Sequence, residues 1–262
     1  MSLRICSLAS GSSGNCYVVR TEDTVLLVDA GISGKQIRER LASLGCCIDD
    51  VDAVLVTHEH SDHVKGLSAL LKMNRRIYAS EKTLNACDLE IGEDYSYTFT
   101  PGDSFCIGDI EIESFHTSHD AADPTGYCFT NDGKCICIVT DTGYVSDEIK
   151  SFMAKADILV LESNHDENVL KMGSYPWFLK QRILSDIGHL SNELAAEALA
   201  EIVAKEDSEK KRLVLLAHLS KENNFPEMAK ATMENILLEK GCKPRACVLR
   251  VLSRNEVSEI YE

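Results

Sequence analysis

The sequence predicts an α/β sandwich, with two sheets packed face to face and helices outside. Three observations carry that reading. Short apolar, β-branched runs recur from residue 3 to residue 57; they return between about 95 and 140; and from about 146 onward single strands alternate with helical stretches. Two strand-rich blocks, each followed by helices, are the pattern of a layered α/β fold. With 262 residues and 44% hydrophobic composition the chain can build one large core, so residues 1–262 are expected to form a single domain.

In chain order, "LRICSLA", "NCYVVR" and "TVLLVDA" read as strands. "SGKQIRERLASLG" reads as a helix, opened by Ser33 as N-cap and closed by Gly45. "VDAVLVT" is the next strand, and residues 64 to 118 read as compact helix and strands. Within them "YSYTFT" and "DSFCIGDIEIESFHT" are extended. "GYCFTNDGKCICIVT" reads as a hairpin turning at Asn131-Asp132-Gly133. Further on come the strand "ADILVLES", a helix near 191 to 204, the strand "KRLVLLAH" and a helix near 226 to 239. The charge run "AKEDSEKKR", residues 204 to 212, reads as a solvated helix end and loop.

Lys and Arg number 27 against 42 Asp and Glu, a net charge of −15. That is opposite in sign to the usual footprint of a nucleic-acid binder, although bound divalent ions return positive charge where a phosphate must dock. The eleven cysteines form no CxxC and sit partly in apolar runs, so they read as buried, reduced thiols of a cytoplasmic protein. The start shows no signal-peptide core, and no run approaches the ~18 apolar residues of a membrane span.

The chemistry concentrates in "VLVTHEHSDHVKG", where His58, His60, Asp62 and His63 occupy six positions after an apolar strand. His58 and His60 are two apart on the loop and can turn toward one point. Asp62 and His63 fall at the start of the next helix, with Ser61 available to cap it. Imidazoles with a carboxylate suit zinc or a similar divalent ion, and splitting the donors into two sets suits two ions sharing a water.

This HxHxDH pattern resembles the metallo-β-lactamase superfamily. The resemblance implies the αββα metallo-β-lactamase fold and points to the remaining ligands. A third histidine is expected ahead of Gly126-Tyr127, where His119 and His116 compete and spacing favours His119. A bridging carboxylate matches Asp141 in "IVTDTGY", and a last histidine matches His218 in "LVLLAHLS". The implied arrangement puts His58, His60 and His119 on one ion and Asp62, His63 and His218 on the other, with Asp141 between them. The cofactor is then a pair of divalent ions, zinc or manganese, with iron also admitted.

Within the superfamily, "SLASGSSGNCYVV", "LESNHD", "YPWFLKQRILSDIGHLSN" and "HLSKENNFPE" resemble the YycJ (WalJ, VicX) family over nearly the whole chain. That resemblance implies hydrolysis of phosphodiester bonds, with DNA degraded from the 5′ end. A small-nucleotide phosphodiesterase is the alternative enzyme, and a regulatory protein tied to a cell-wall two-component system is the alternative of another class. Only 76 residues separate Asp141 from His218, too few for the extra domain of ribonuclease J. No long basic arm of the ribonuclease Z kind is evident. Flavodiiron proteins need an acidic residue where His60 stands.

His189 resembles the ribonuclease Z histidine that protonates the leaving oxygen, with Glu162 to orient it, so His189, Glu162 and Asp62 form the expected catalytic set. Glu162 and His165 are expected on the rim of the site, His165 with a structural role as readily as a catalytic one. Lys180, Arg182, Lys221 and Asn223 are candidates for holding phosphate. Ser12, Ser13 and Asn15 lie in a Gly-rich turn whose amides could cradle an anion, although it lacks the GK[ST] of a P-loop. Trp177 reads as core in preference to a base-stacking residue.

Overall fold

A computed structural model describes residues 2–205, 211–243 and 246–262. By its internal contacts the chain divides into two compact units. One comprises Met1–His116, Ala121–Lys134 and Ser253–Glu262; the other comprises Thr117–Asp120 and Cys135–Leu252.

The first unit runs β1 (Arg4–Ala9), β2 (Cys16–Arg20), β3 (Val25–Val28), α1 (Gly34–Ser43), β4 (Ala53–Leu55), α2 (Ser61–Val64), α3 (Leu67–Leu71), β5 (Arg76–Ser80), α4 (Glu81–Ala86), β6 (Ser96–Phe99), β7 (Ser104–Ile107), β8 (Ile110–His116) and β9 (Thr125–Asn131). Strands β1 to β6 form one sheet in sequence order. The first two pairings are antiparallel and the next three parallel. Strands β7, β8 and β9 pair antiparallel in turn. β4 is buried at every position, as a parallel strand covered on both faces must be.

Local chemistry explains the best-defined boundaries. Ser33 and Gln36 make a reciprocal capping box at the start of α1, Ile37 and Leu41 bury its inner face, and Gly45 at φ 69° lets the chain leave. Those two side chains join a core with Leu8, Val18, Leu27, Val54 and Ile77. After β9 the chain turns through Asp132 and Gly133, both at positive φ, the conformation an Asp-Gly type I′ turn requires. At α2 the expectation is corrected: His60 is the N-cap residue and Ser61 is already helical.

The second unit runs β10 (Lys134–Val139), α5 (Asp147–Lys155), β11 (Ile158–Glu162), α6 (Glu167–Met172), α7 (Trp177–Ile183), α8 (Asn192–Val203), β12 (Arg212–Ala217), α9 (Pro226–Glu239) and β13 (Cys247–Val251). Its four strands are parallel in the order β13-β12-β11-β10. α8, capped by Ser191, packs against α9, which opens on Pro226 where a missing N–H costs nothing.

Residues 206–210 of the charge run lie outside the described residues, but its last member corrects the solvated reading. Arg212 is buried, and its guanidinium donates to Ala156 O at 2.8 Å and Ala154 O at 2.9 Å. The cysteines also divide: Cys16, Cys128, Cys135 and Cys137 are buried in strands as expected, whereas Cys47 and Cys106 are exposed. Among the described residues no helix is long and apolar enough to cross a membrane.

Candidate metal-ligand clusters

In the first unit the parallel pairing of β3 with β4 sets their C-terminal ends side by side. β3 delivers Asp29, and β4 leads into Thr57 and His58. Asp29 sits at φ 63°, in the left-handed region that costs a residue with a Cβ about 1 kcal/mol or more, and this turns its carboxylate across the strand ends. Asp29 Oδ1 accepts from the Thr57 amide at 2.8 Å, and Oδ2 accepts from His63 Nδ1 at 2.7 Å. That second bond fixes the tautomer of His63 with its proton on Nδ1 and turns Nε2 away from Asp29, the arrangement that supports histidines which hold metals. Asp62 Oδ2 lies 3.6 Å from His63 Nε2.

The rings gather on the same loop. His58 lies 4.7 Å from His60 and 4.1 Å from His63 between ring centroids, and His58 Nδ1 meets Thr57 Oγ1 at 3.0 Å. Gly31 lets the loop approach, since a Cβ there would stand 1.7 Å from Asp62 O. Asn15, read as part of an anion-cradling turn, instead places Nδ2 3.1 Å from His63 Nε2 while its Oδ1 accepts from Gly11 N. The exposed Ser12 and Ser13 face Arg254, whose Nη1 reaches their hydroxyls at 3.5 and 3.3 Å.

In the second unit Asp141 follows β10, Glu162 ends β11 and His218 follows β12, three successive parallel strands. Asp141 and His218 share the left-handed backbone of Asp29, at φ 58° and 55°. Ligand-type atoms of Asp141, Glu162, His189 and His218 lie within 4.8 Å of one another. Glu162 Oε1 accepts from His189 Nδ1 at 2.8 Å and His218 Nδ1 at 2.9 Å, while Oε2 accepts the amides of Thr142 at 3.0 Å and Leu190 at 3.3 Å. Glu162 is completely buried. Burial alone would raise its pKa, but the charges and hydrogen bonds of His189 and His218 outweigh it and hold the carboxyl well below the usual carboxylate range.

His119 joins this cluster with its Nδ1 bonded to Gly188 O at 2.9 Å and Nε2 3.8 Å from Asp141 Oδ1. His116 does not: it is exposed, with Nδ1 3.9 Å from Asp123. His189 stands between His119 and His218 at 4.9 and 5.2 Å. His165 and Glu162 are buried, not on a rim. The ring nitrogens of His165 have no hydrogen-bond partner among the described residues, and burial, partly opposed by Glu162, pushes its pKa down to about 4.

The expected phosphate holders divide. Lys180 is buried and donates to Lys171 O and Gly173 O at 2.8 and 2.7 Å. Arg182 grips both carboxylate oxygens of Asp120. Asn223 is buried, with its amide N–H donated to Ser220 Oγ. Lys221 stands in solvent, 4.0 Å from Glu222. Trp177, expected in the core, is exposed. Residue by residue, sequence reasoning missed Asp29, Thr57 and Thr142; the available signal for Asp29 was a lone carboxylate closing an apolar strand, as at Asp141.

The family model described as a β-lactamase superfamily domain matches residues 24–218. The exodeoxyribonuclease YycJ of Bacillus anthracis is 47% identical over 245 residues, covering 92% of this chain and 91% of that protein. The chain belongs to the YycJ/WalJ family of the metallo-β-lactamase superfamily. Another member, the exodeoxyribonuclease WalJ of Streptococcus pneumoniae, is 46% identical over 88% of this chain and 87% of its own length. A crystal structure of the metallo-β-lactamase fold protein YhfI from Bacillus subtilis superposes with a TM-score of 0.75 at 16% identity, over 99% of this chain and 100% of that one. That likeness establishes the fold, and the α/β class expected from the sequence holds.

Proposed function

We propose that this YycJ/WalJ-family chain is a divalent-metal-dependent phosphodiester hydrolase that degrades DNA from the 5′ end. The observation that carries the reading is the anchoring of the donors: His63, His119 and His218 each commit Nδ1 to a protein acceptor, so Nε2 is the atom left for an ion. The exodeoxyribonuclease names of relatives aligned over nearly the whole length support the substrate. His58, His60 and His119 would hold one ion, Asp62, His63 and His218 the other, and Asp141 both, with zinc, manganese or iron as the metal. When bound, such a pair lowers the pKa of a water to near neutrality and offsets charge on the phosphodiester.

The remaining work falls to side chains. Glu162 fixes His189 with Nδ1 toward the carboxylate, leaving Nε2 to carry a proton to a departing oxygen. Asp29 and Glu162 hold imidazoles in place and do not themselves meet substrate. We read residues 1–262 as one metallo-β-lactamase-fold domain, supported by a family match that draws on both units. We place the activity in the cytoplasm, supported by cysteines buried within strands.

The test is incubation with 5′- and 3′-labelled linear DNA, single- and double-stranded, in Zn²⁺ or Mn²⁺, beside circular DNA and a chromogenic phosphodiester. Release of the 5′ label as mononucleotide, with circles resistant, is expected. Cleavage of the small phosphodiester alone would replace this reading with that of a small-nucleotide phosphodiesterase, which the net charge of −15 also suits.

A further inference from the structure

Trp177 and Phe178 open α7 and stand in solvent, 68% and 73% exposed, with Met172 at the end of α6 82% exposed. Adjacent exposed rings on a short helix are costly to solubility and contribute nothing to a core. The helix beneath them is nevertheless fixed with care. Buried Lys180, at the middle of the helix, ties it to the carbonyls of Lys171 and Gly173. At the other end Ile183 O accepts the His189 amide at 3.0 Å, and Gly188 leaves no room for a side chain, since a Cβ would stand 2.2 Å from Ile183 O. The loop between is pinned by Ser118 Oγ on Asp186 O at 2.7 Å and by His119 Nδ1 on Gly188 O at 2.9 Å. The helix that bears the aromatic pair is therefore tied by hydrogen bonds to the stretch that carries His189, and through Gly188 O to His119.

We propose that Trp177 and Phe178 form a stacking platform for unpaired bases of the strand under attack, so that the substrate is a single-stranded or frayed DNA end. The proposal rests on the nuclease reading above and names its substrate class. Charge argues for this occupant. The chain carries −15, and both cations of α7 are already engaged, Lys180 with carbonyls and Arg182 with Asp120. Along α7, affinity for a polyanion must then come from contacts that need no charge, and base–aromatic stacking is such a contact. α7 rises about 1.5 Å per residue, so Trp177 stands roughly 9 Å along the helix from Ile183, whose carbonyl accepts the His189 amide.

Trp177 is the one tryptophan in the sequence, so fluorescence excited beyond the tyrosine absorption band reports that ring alone. The metal-loaded protein is titrated with a 5′-phosphorylated thymidine hexamer with phosphorothioate linkages, and binding is followed in parallel by anisotropy of a labelled copy. Trp177 fluorescence should be quenched with the same midpoint as the anisotropy. Trp177→Ala and Phe178→Ala should each weaken hexamer binding roughly tenfold. The slope of log affinity against log salt should stay as in the wild type, because neither ring neutralises a phosphate. Leu238→Ala, which alters a residue equally exposed on α9, should bind as the wild type does.

Hexamer binding without quenching, or Trp177→Ala within twofold of the wild type, overturns the platform. So does a blue shift that tracks formation of a dimer without DNA, which would show that a second copy covers the rings. If the wild type neither binds nor cuts any DNA, the nuclease reading fails first and the platform falls with it.

Discussion

Glu162→Gln should do more damage than its single-atom change suggests. The carboxylate accepts four hydrogen bonds, two imidazole N–H groups on Oε1 and two backbone amides on Oε2. A carboxamide offers one accepting oxygen and one donating nitrogen, so in either orientation the nitrogen faces two donors. With the nitrogen toward Thr142 and Leu190, two buried amides lose their acceptor, at about 1–3 kcal/mol each. With the nitrogen toward the imidazoles, His189 and His218 must move their protons to Nε2, which leaves His218 no lone pair for a metal and leaves His189 without the anionic partner that supports its imidazolium. The outcome is either a loss of about 2–6 kcal/mol of stability, or an intact fold with metal affinity down roughly 10- to 100-fold and turnover down about 100-fold or more. At roughly 2–4 °C per kcal/mol for a chain of this size, the first branch is a melting shift of about 4–24 °C. Differential scanning fluorimetry, metal titration and kcat on labelled DNA separate the branches. A variant whose melting temperature, metal affinity and kcat all stay within threefold or 2 °C of the wild type would refute the assignment of Glu162.

Other expectations follow from the same structure. Asp29→Asn removes the charge behind His63 and should weaken divalent-metal binding about 10- to 100-fold in calorimetric titration; unchanged affinity would mean that His63 does not depend on that bond. His165 is neutral in the fold because burial depresses its pKa to about 4, while the unfolded chain protonates near 6.5. Its contribution is therefore fully present above about pH 6.5 and is lost as pH falls toward 4, worth about 3 kcal/mol over that interval. Urea midpoints at pH 7.5 and 4.5 should converge for wild type and His165→Gln at the lower pH, and parallel losses in the two proteins would contradict this. Alkylation at pH 8 should modify exposed Cys47 and Cys106 first. Half-buried Cys87 should lag by about two orders of magnitude, since burial above all, with Glu59 and Asp29, pushes its thiol to about 11; peptide mapping reads the order.

The HxHxDH loop was legible because four donors in six positions have no common structural use. α1 and α9 were legible because their ends are written in local chemistry, the Ser33 cap, Gly45 and Pro226. Asp29 was not, because one carboxylate after an apolar strand is an ordinary polar end until the neighbouring strand shows what it faces. The double duty of Glu162 depends on β11 meeting a loop 27 residues onward, which no local pattern encodes. Lys180 and Arg182 misled in the same way: sequence displays a charge but not its partner. Trp177 misled oppositely, since an aromatic beside "FLK" looks like core until its exposure is seen. β5 and β13 are short, β5 opening on Arg76 and β13 interrupted by Arg250, so periodicity had too few positions to act on.

Asp29, Asp141 and His218 follow their strands with positive φ, and this bears on how each cluster can be dissected by mutagenesis. Asparagine, aspartate and histidine enter that conformation more readily than other residues with a side chain, because a short polar group can bond locally. Alanine at any of the three would delete the polar side-chain atoms while still bearing a Cβ in the left-handed well, at about 1 kcal/mol or more. A conventional alanine scan would thus mix lost chemistry with a weakened fold at these three sites and rank them too high. Asparagine at the two aspartates keeps the backbone content with its shape, and glycine at His218 removes the ring without the steric penalty. Those replacements ask the chemical question alone.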